Sequence, residues 1–315
     1  MPEPPMPDIS APDILIHPGL HKTGTTWLQA NVFAPGHGRD LEYCGDLGRI
    51  YDTFSVPDQR DFMPDAARAV FAPLLEAAAG AGRLAVLSAE SLAGRPFHAR
   101  HDRHVNAARL AAAFPGAHIL LTIREQKAVI RSIYGQYVRF GYTSGLEDFL
   151  APAPAGSGFR PVLDRDFYNY MFLLDDFEEH FAPEQITILP MEWLMRDPAG
   201  ALGHLGRRLG RVLDAQASPA SVSNPAWSGS AYWVVRQANR LISQDSRWRR
   251  PPGRLAPNAL GARVDRLTPG WLARRQNART RALIEAALGD EYAASNRALA
   301  ARTGLDLAGL GYDMG

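Results

Sequence analysis

Short apolar runs alternate, along the first two thirds of the chain, with longer stretches in which apolar residues recur every three or four positions. Short apolar runs are typical of buried strands, and the wider spacing is typical of helices. Four strands are therefore predicted: DILIH (13–17), GRLAVLSAE (82–90), AHILLTIRE (117–125) and QITILP (185–190). Because helical segments separate them, we expect a parallel sheet covered by helices, which is an α/β fold.

The helical pattern continues beyond the last predicted strand and dominates the C-terminal third. Helices are predicted at 24–32, 64–79, 101–114, 127–138, 166–181 and 197–210, and then from residue 225 with a break at 247–258. Residues 34–60 carry little periodicity, and 141–165 is a loop rich in Gly, Pro and Ser. We predict a disordered lead-in at 1–12 and a single domain over 13–315, with an α/β core (13–210) and a mostly helical extension (211–315).

The loop after the first predicted strand, HPGLHKTGTTW, nearly matches a Walker A phosphate loop, GxxxxGK[ST]. Gly19 and Gly24 have the required separation, and Thr26 takes the Ser/Thr position. The lysine position, however, holds Thr25, and the lysine of this loop is Lys22. The question is therefore whether this loop binds ATP or another phosphate-bearing donor.

A strand, a tight loop and a helix in this order form a good anion site. The first N–H groups of a helix lack intrahelical partners, and the helix dipole is positive at that end. Lys22 is one of only two lysines among 34 basic residues, so a compact ammonium inside this loop is notable. The alternative is a plain glycine turn with a solvated lysine.

Two further polar residues end predicted strands, Glu90 and Arg124. Since ligands of open α/β sheets collect at the carboxyl ends of strands, we expect both residues near the loop. Neither strand end supplies the Asp that holds Mg²⁺ in ATP- and GTP-hydrolysing P-loop enzymes. The pattern therefore favours a phosphate site neutralised by side chains, and we predict no metal.

These motifs resemble those of sulfotransferases that use 3′-phosphoadenosine 5′-phosphosulfate (PAPS). GLHKTGTTWLQ looks like the family's 5′-phosphosulfate loop, and Arg124 and Ser132 have the spacing of its 3′-phosphate pair. LPMEWLMRDP and the C-terminal ASNRALAARTGLDLAGLGY also resemble members of the family. The resemblance implies a P-loop NTPase-like three-layer fold with a central parallel sheet, PAPS as co-substrate, PAP as product and a hydroxyl acceptor.

The resemblance also implies roles for the residues of the loop. Lys22 would contact the bridging oxygen and the 5′-phosphate and stabilise the charge of the leaving group. Gly24, Thr25 and Thr26 would cradle the 5′-phosphate. Trp27 matches a position that stacks on adenine in some members, but it could equally well lie on the buried face of the first helix.

The 3′-phosphate would be held by Arg124 and Ser132, with Arg131 as a neighbouring candidate that we expect to be exposed. The family often has Asn-Pro after the arginine, where this chain has Glu125 and Gln126. An Arg-Lys-Gly loop found near the C-terminus of cytosolic members is absent. Two segments are candidates to replace it, 223–230 and 247–254.

A base is needed to take the proton of the acceptor hydroxyl. Glu90 matches the glutamate of carbohydrate-type members, although it could instead only favour a helix dipole. His21 is the rival base. The weaker candidates are His17, His98, His101 and His104, and none of these has a metal-ligand spacing with Cys44.

Composition limits the partners and the compartment. The net charge of +1 predicts no bulk attraction to nucleic acid, and no apolar run approaches the length of a membrane span. A single cysteine and the absence of a signal-peptide pattern fit a cytoplasmic protein. We predict a PAPS-dependent sulfotransferase acting on a small-molecule or glycan hydroxyl, such as a carbohydrate or glycolipid. The alternatives are a Mg²⁺-dependent P-loop kinase or ATPase and a non-catalytic nucleotide-binding protein, and the oligomeric state stays open.

Overall fold

The computed structural model describes residues 12–34, 40–94, 102–152, 162–215, 227–241 and 257–315. Contacts divide these residues into two compact units. The first unit comprises 12–34, 40–94, 102–123 and 174–215, and the second comprises 124–152, 162–173, 227–241 and 257–315. The lead-in predicted at 1–12 lies outside the described residues except for its last position.

Five strands lie in the described part of the chain, all in the first unit: β1 (Ile14–His17), β2 (Leu41–Cys44), β3 (Leu84–Ser88), β4 (His118–Ile123) and β5 (Ile186–Pro190). The helices, in chain order, are α1 (Thr25–Leu28), α2 (Leu47–Phe54), α3 (Pro64–Val70), α4 (Ala72–Gly80), α5 (Arg103–Ala113), α6 (Gln126–Arg139), α7 (Leu146–Leu150), α8 (Tyr170–Glu178), α9 (Met191–Arg196), α10 (Pro198–Leu209), α11 (Gly229–Leu241), α12 (Pro257–Leu267), α13 (Gly270–Leu288) and α14 (Ala293–Thr303). Helix α1 continues without a break as a π-helix, Gln29–Phe33.

The strands form one parallel sheet in the order β2-β3-β1-β4-β5. Every residue of β1, β3, β4 and β5 is buried, as expected for a parallel sheet with both faces covered. The predicted α/β fold with a central parallel sheet flanked by helices is therefore confirmed. Because β1 lies between β3 and β4, the carboxyl ends of these three strands meet at one edge of the sheet.

Strand β2 and helix α2 were not predicted, since both fall in the weakly periodic stretch 34–60. In β2 only Leu41 is buried, so the strand carries no apolar run. Its pairing with β3 and an ion pair between Glu42 and Arg83 at 2.9 Å hold it in the sheet. Helix α2 begins at a cap, where the Asp46 carboxylate accepts a hydrogen bond from the Arg49 amide at 2.9 Å.

The helix predicted over 64–79 is in fact two helices, α3 and α4. They meet at Phe71, which takes a non-helical ψ of 4°. Pro73 lies in the first turn of α4, where its missing N–H costs nothing, whereas inside one continuous helix it would have removed a hydrogen bond. The predicted loop 141–165 likewise contains a short helix, α7.

The second unit is helical, as predicted for the chain beyond residue 225. Lys127 on α6 forms ion pairs with Glu285 on α13 (2.8 Å) and with Asp313 (2.6 Å). The second of the two lysines therefore ties helices together within this unit. The candidate segment 247–254 lies outside the described residues, and so does the first half of the other candidate segment, 223–226. No helix in the described ranges is long and apolar enough to cross a membrane.

Candidate functional site

The loop between β1 and α1 is held in an unusual backbone conformation. Lys22 has a φ of 70°, and among the described residues no other non-glycine residue has a positive φ. Gly24 follows with a φ of 95° and is the N-cap of α1. Since residues with a Cβ disfavour this region, glycine suits position 24, and the backbone at Lys22 is locally strained.

Gly19 makes room for the first residue of α1. A Cβ at position 19 would lie 2.3 Å from the Thr25 Oγ1 atom, so only glycine leaves this hydroxyl in place. Thr25 is 1% exposed, and its Oγ1 has no hydrogen-bond partner among the described residues. Because buried hydroxyls are normally paired, an unpaired one at a helix start suits a ligand acceptor such as a phosphate oxygen. Thr26, the next residue, is exposed.

A buried hydrogen-bond network joins the ends of three strands behind this loop. His17, the last residue of β1, contacts Ser88 of β3 (Nδ1 to Oγ, 2.8 Å) and Thr122 of β4 (Nε2 to Oγ1, 3.1 Å). Thr122 also contacts the Thr23 hydroxyl at 2.8 Å, and Gln29 donates to the Ser88 carbonyl at 3.1 Å. The network therefore fixes the loop and the first helix on the sheet edge.

Burial lowers the pKa of His17 to about 3, so its imidazole is neutral at physiological pH. The sequence named His17 as one of the weaker base candidates, and the structure shows it fully buried at the end of β1. Its partners in the network were missed as well. The signal in the sequence was a polar residue at or next to the carboxyl end of each of two apolar strands: Ser88 ends β3, and Thr122 is the last residue but one of β4.

Acidification is expected to destabilise the fold through His17. The unfolded imidazole protonates near pH 6.5 while the folded one resists until about pH 3, so stability falls as pH falls through this window. Urea unfolding at several pH values measures this effect. As the pH falls, the free energy of unfolding should decrease more steeply in the parent than in His17→Gln, by up to about 1.4 kcal/mol per pH unit. His104→Gln, at an exposed position of α5, is the matched control and should keep the parent slope. A His17 ring that titrates above pH 5 in the folded protein, followed by NMR, would contradict this assignment.

The two rival bases form one pair. Glu90 begins a short 3₁₀ helix directly after the end of β3, and its Oε2 lies 2.5 Å from the His21 Nδ1. The His21 side chain is 14% exposed and that of Glu90 31%, so both are reachable from solvent. Since His21 precedes Lys22 in the loop, the pair and the loop belong to the same edge of the first unit.

Trp27 is partly buried and packs against the core cluster that contains Leu15, Leu28 and Leu194. This contact agrees with packing on the first helix, one of the two interpretations left open by the sequence. A stacking role on adenine stays a prediction from the family resemblance.

Arg124 and Ser132 belong to the second unit. Arg124 directly follows β4 in the chain, and its carbonyl accepts a hydrogen bond from the Tyr170 hydroxyl. Both Arg124 and Ser132 are half-buried. Arg131 is half-buried too, not exposed as expected, and it donates to the Asn277 Oδ1 at 2.8 Å.

The departure from the family pattern after Arg124 has a structural explanation. Glu125 is the N-cap of α6, and its carboxylate accepts from the Lys127 amide at 2.9 Å and the Ala128 amide at 2.7 Å. Gln126 is 1% exposed and exchanges side-chain hydrogen bonds with Asn296 on α14, at 2.7 and 3.2 Å. These two residues therefore serve helix capping and packing within the second unit.

Among the described residues, no group of three or more His, Cys, Asp or Glu side chains is arranged to hold a metal ion. Histidines 98 and 101 lie outside the described residues, and His104 is exposed on α5.

Comparison with known proteins gives structural neighbours only. No protein-family model matches the chain, and no curated protein matches it. A sulfotransferase from Alicyclobacillus acidocaldarius is 18% identical, with a TM-score of 0.47 over 67% of this chain and 87% of that one. The sulfotransferase domain from the curacin biosynthetic pathway is 16% identical, with a TM-score of 0.35 over 64% and 74%. The sulfotransferase domain from the Synechococcus PCC 7002 olefin synthase is 14% identical, with a TM-score of 0.35 over 83% and 98%.

Proposed function

We propose that the protein is a sulfotransferase that moves a sulfuryl group from PAPS to a hydroxyl acceptor. The observation that carries the proposal is the contact between His21 and Glu90 at 2.5 Å. It joins a candidate base to the very loop that has the features of an anion site. A phosphate loop beside a proton acceptor is what group transfer to a hydroxyl requires.

The residues of the loop fit a phosphosulfate donor. The unpaired Thr25 hydroxyl, the left-handed Gly24 and the start of α1 offer hydrogen-bond donors to the 5′-phosphate. Lys22 would supply the positive charge, and the exposed Thr26 a further hydroxyl. Arg124 and Ser132 would hold the 3′-phosphate, a role that rests on their spacing and on the family resemblance.

The loop and the pair formed by Glu90 and His21 would have different tasks in the reaction. PAPS, when bound, supplies an activated sulfuryl group and leaves as PAP. Lys22 would stabilise the negative charge that develops on the leaving phosphate, which is worth most in a site from which water is excluded. Glu90 would accept the proton of the acceptor hydroxyl, while His21 holds the carboxylate in place through its Nδ1.

The acceptor we propose is a hydroxyl group of a small molecule or glycan, with carbohydrates and glycolipids as the classes to screen first. This follows from the type and position of Glu90, which matches the base of carbohydrate-type sulfotransferases.

Thr25→Val is expected to separate nucleotide binding from stability. The substitution removes a buried hydroxyl that has no hydrogen-bond partner among the described residues, so it should leave the melting temperature equal to or higher than that of the parent. The same change should weaken PAP binding by about tenfold, because a hydrogen bond to a charged phosphate is lost. Thermal-shift titrations with PAP, PAPS and ATP, each with and without Mg²⁺, measure both effects.

A saturating donor at about 100 times its Kd should stabilise the parent by roughly 2.7 kcal/mol without any need for Mg²⁺. Stabilisation by ATP only in the presence of Mg²⁺, with none by PAP, would instead support a P-loop kinase or ATPase. A non-catalytic binder would show the PAP shift but no transfer of ³⁵S from labelled PAPS to any acceptor of the panel.

A further inference from the structure

The second unit contains a cavity of about 470 Å³ between helices α6, α7, α11 and α13. Its volume lies within the range of small-molecule sites. Neither Arg124 nor Ser132 lines it, so the proposed 3′-phosphate pair does not account for it. The charged and aromatic side chains that line the cavity indicate what it binds.

The charge of the cavity wall is positive. Arg131, Arg236 and Arg279 line it, and Glu147 is the one carboxylate among the described lining residues. In the described part of the chain, none of the three arginines forms an ion pair, and the buried Arg236 Nε has no hydrogen-bond partner.

The surroundings of Arg131 do not neutralise its positive charge. Its guanidinium has a neutral partner, the Asn277 Oδ1 at 2.8 Å. Burial, together with repulsion from Arg281 and Arg124, lowers the pKa of Arg131. Arg131 and Arg236 are half-buried, and Glu147 is the one carboxylate near them in the described wall, so an anion in the cavity would offset part of the excess positive charge.

Four aromatic residues also line the cavity among the described residues: Tyr134, Trp227, Tyr232 and Trp233. Burial raises the pKa of Tyr134 to about 12 and also raises that of Tyr232, so both phenols are neutral at physiological pH. Trp233 is 56% exposed, which leaves much of its indole available to a ligand. Gly135 makes room for Tyr232, because a Cβ there would lie 2.3 Å from the phenol oxygen.

We propose that this cavity binds a small aromatic anion, with the guanidinium groups on its carboxylate or sulfate and the Trp233 indole against its ring. Guanidinium groups pair with carboxylates and sulfates through charge-assisted hydrogen bonds. Indole and phenol rings provide flat apolar contact area with a defined geometry. The inference goes beyond the proposed transfer reaction and does not depend on it, since it concerns binding alone.

Isothermal titration of the full chain with 2-naphthoate tests the proposal. Arg236→Gln and Trp233→Ala should each raise the Kd by about tenfold, the effect of losing one charge-assisted bond or one ring contact. Arg240→Gln is the matched control: it lies one turn further along α11, is exposed, does not line the cavity, and should keep the Kd within about twofold. Because Trp233 is more than half exposed, its removal should not unfold the unit, and a melting curve of each variant checks this.

Three comparison ligands define the class. Acetate, which lacks the ring, and 2-naphthylmethanol, which lacks the charge, should each bind at least about tenfold more weakly than 2-naphthoate. Saturating PAP should leave naphthoate binding unchanged. The proposal is overturned by a parent that does not bind naphthoate, by equal affinities in the parent and both variants, or by PAP displacing naphthoate and losing affinity in the same variants. The last result would assign the cavity to the nucleotide.

Discussion

Replacing Glu90 with glutamine is expected to lower kcat for sulfuryl transfer by about 10²–10⁴-fold, the usual contribution of a general base. Glutamine keeps the shape of the side chain and a hydrogen-bonding contact to His21, but it does not take up a proton. The affinity for PAP should stay within about threefold of the parent value, because Glu90 is assigned to the acceptor side of the reaction. Steady-state turnover of labelled PAPS, with PAP titrations alongside, measures the two quantities.

The same experiment on His21 decides between the two members of the pair. If Glu90 is the base and His21 only orients it, His21→Gln should lower kcat by about tenfold. A larger loss in His21→Gln than in Glu90→Gln would make the imidazole the base. Glu76→Gln, at an exposed position of α4, is the control and should leave turnover unchanged. Parent-like turnover in both variants would remove the pair from the mechanism.

Replacing Lys22 with alanine is expected to lower kcat by about 10²–10³-fold, the range for removing one donor that stabilises transition-state charge. Lys22→Gly supplies a built-in stability control. Because Lys22 has a φ of 70°, glycine adopts its backbone more readily, so this variant should fold at least as well as the parent while losing the same activity. Melting temperatures and turnover of the two variants test this. Turnover in Lys22→Gly equal to that of the parent would contradict the role proposed for Lys22.

Arg124→Ala is the informative partner for Lys22→Ala. A contact to the 3′-phosphate is remote from the reacting bond and is made equally in the ground state and the transition state. Its loss should therefore raise KM for PAPS by about tenfold or more and change kcat less than the Lys22 variants do. A fall in kcat without a change in KM would contradict the assignment of Arg124 to the 3′-phosphate.

Where the chain has strong local patterns, the sequence predicted the elements correctly. Apolar runs located β1, β3, β4 and β5, and the strand–helix alternation indicated the parallel sheet. The glycines and Lys22 of the first loop predicted an anion site, and that role stays a prediction. The sequence did not predict β2, because an edge strand with one buried residue has no periodic pattern and depends on pairing with β3.

Residues far apart in the chain acquire their roles only when the sheet brings strand ends together. The sequence named His21 and Glu90 as competing bases, and only the adjacency of β1 and β3 places them in contact. The position of β1 between β3 and β4 buries His17 between Ser88 and Thr122, which turns a candidate base into a neutral structural residue. Local composition thus determined the strands, the loop and its lysine. Hydrogen-bond partners and burial, which depend on long-range pairing of strands, were decided by the tertiary structure.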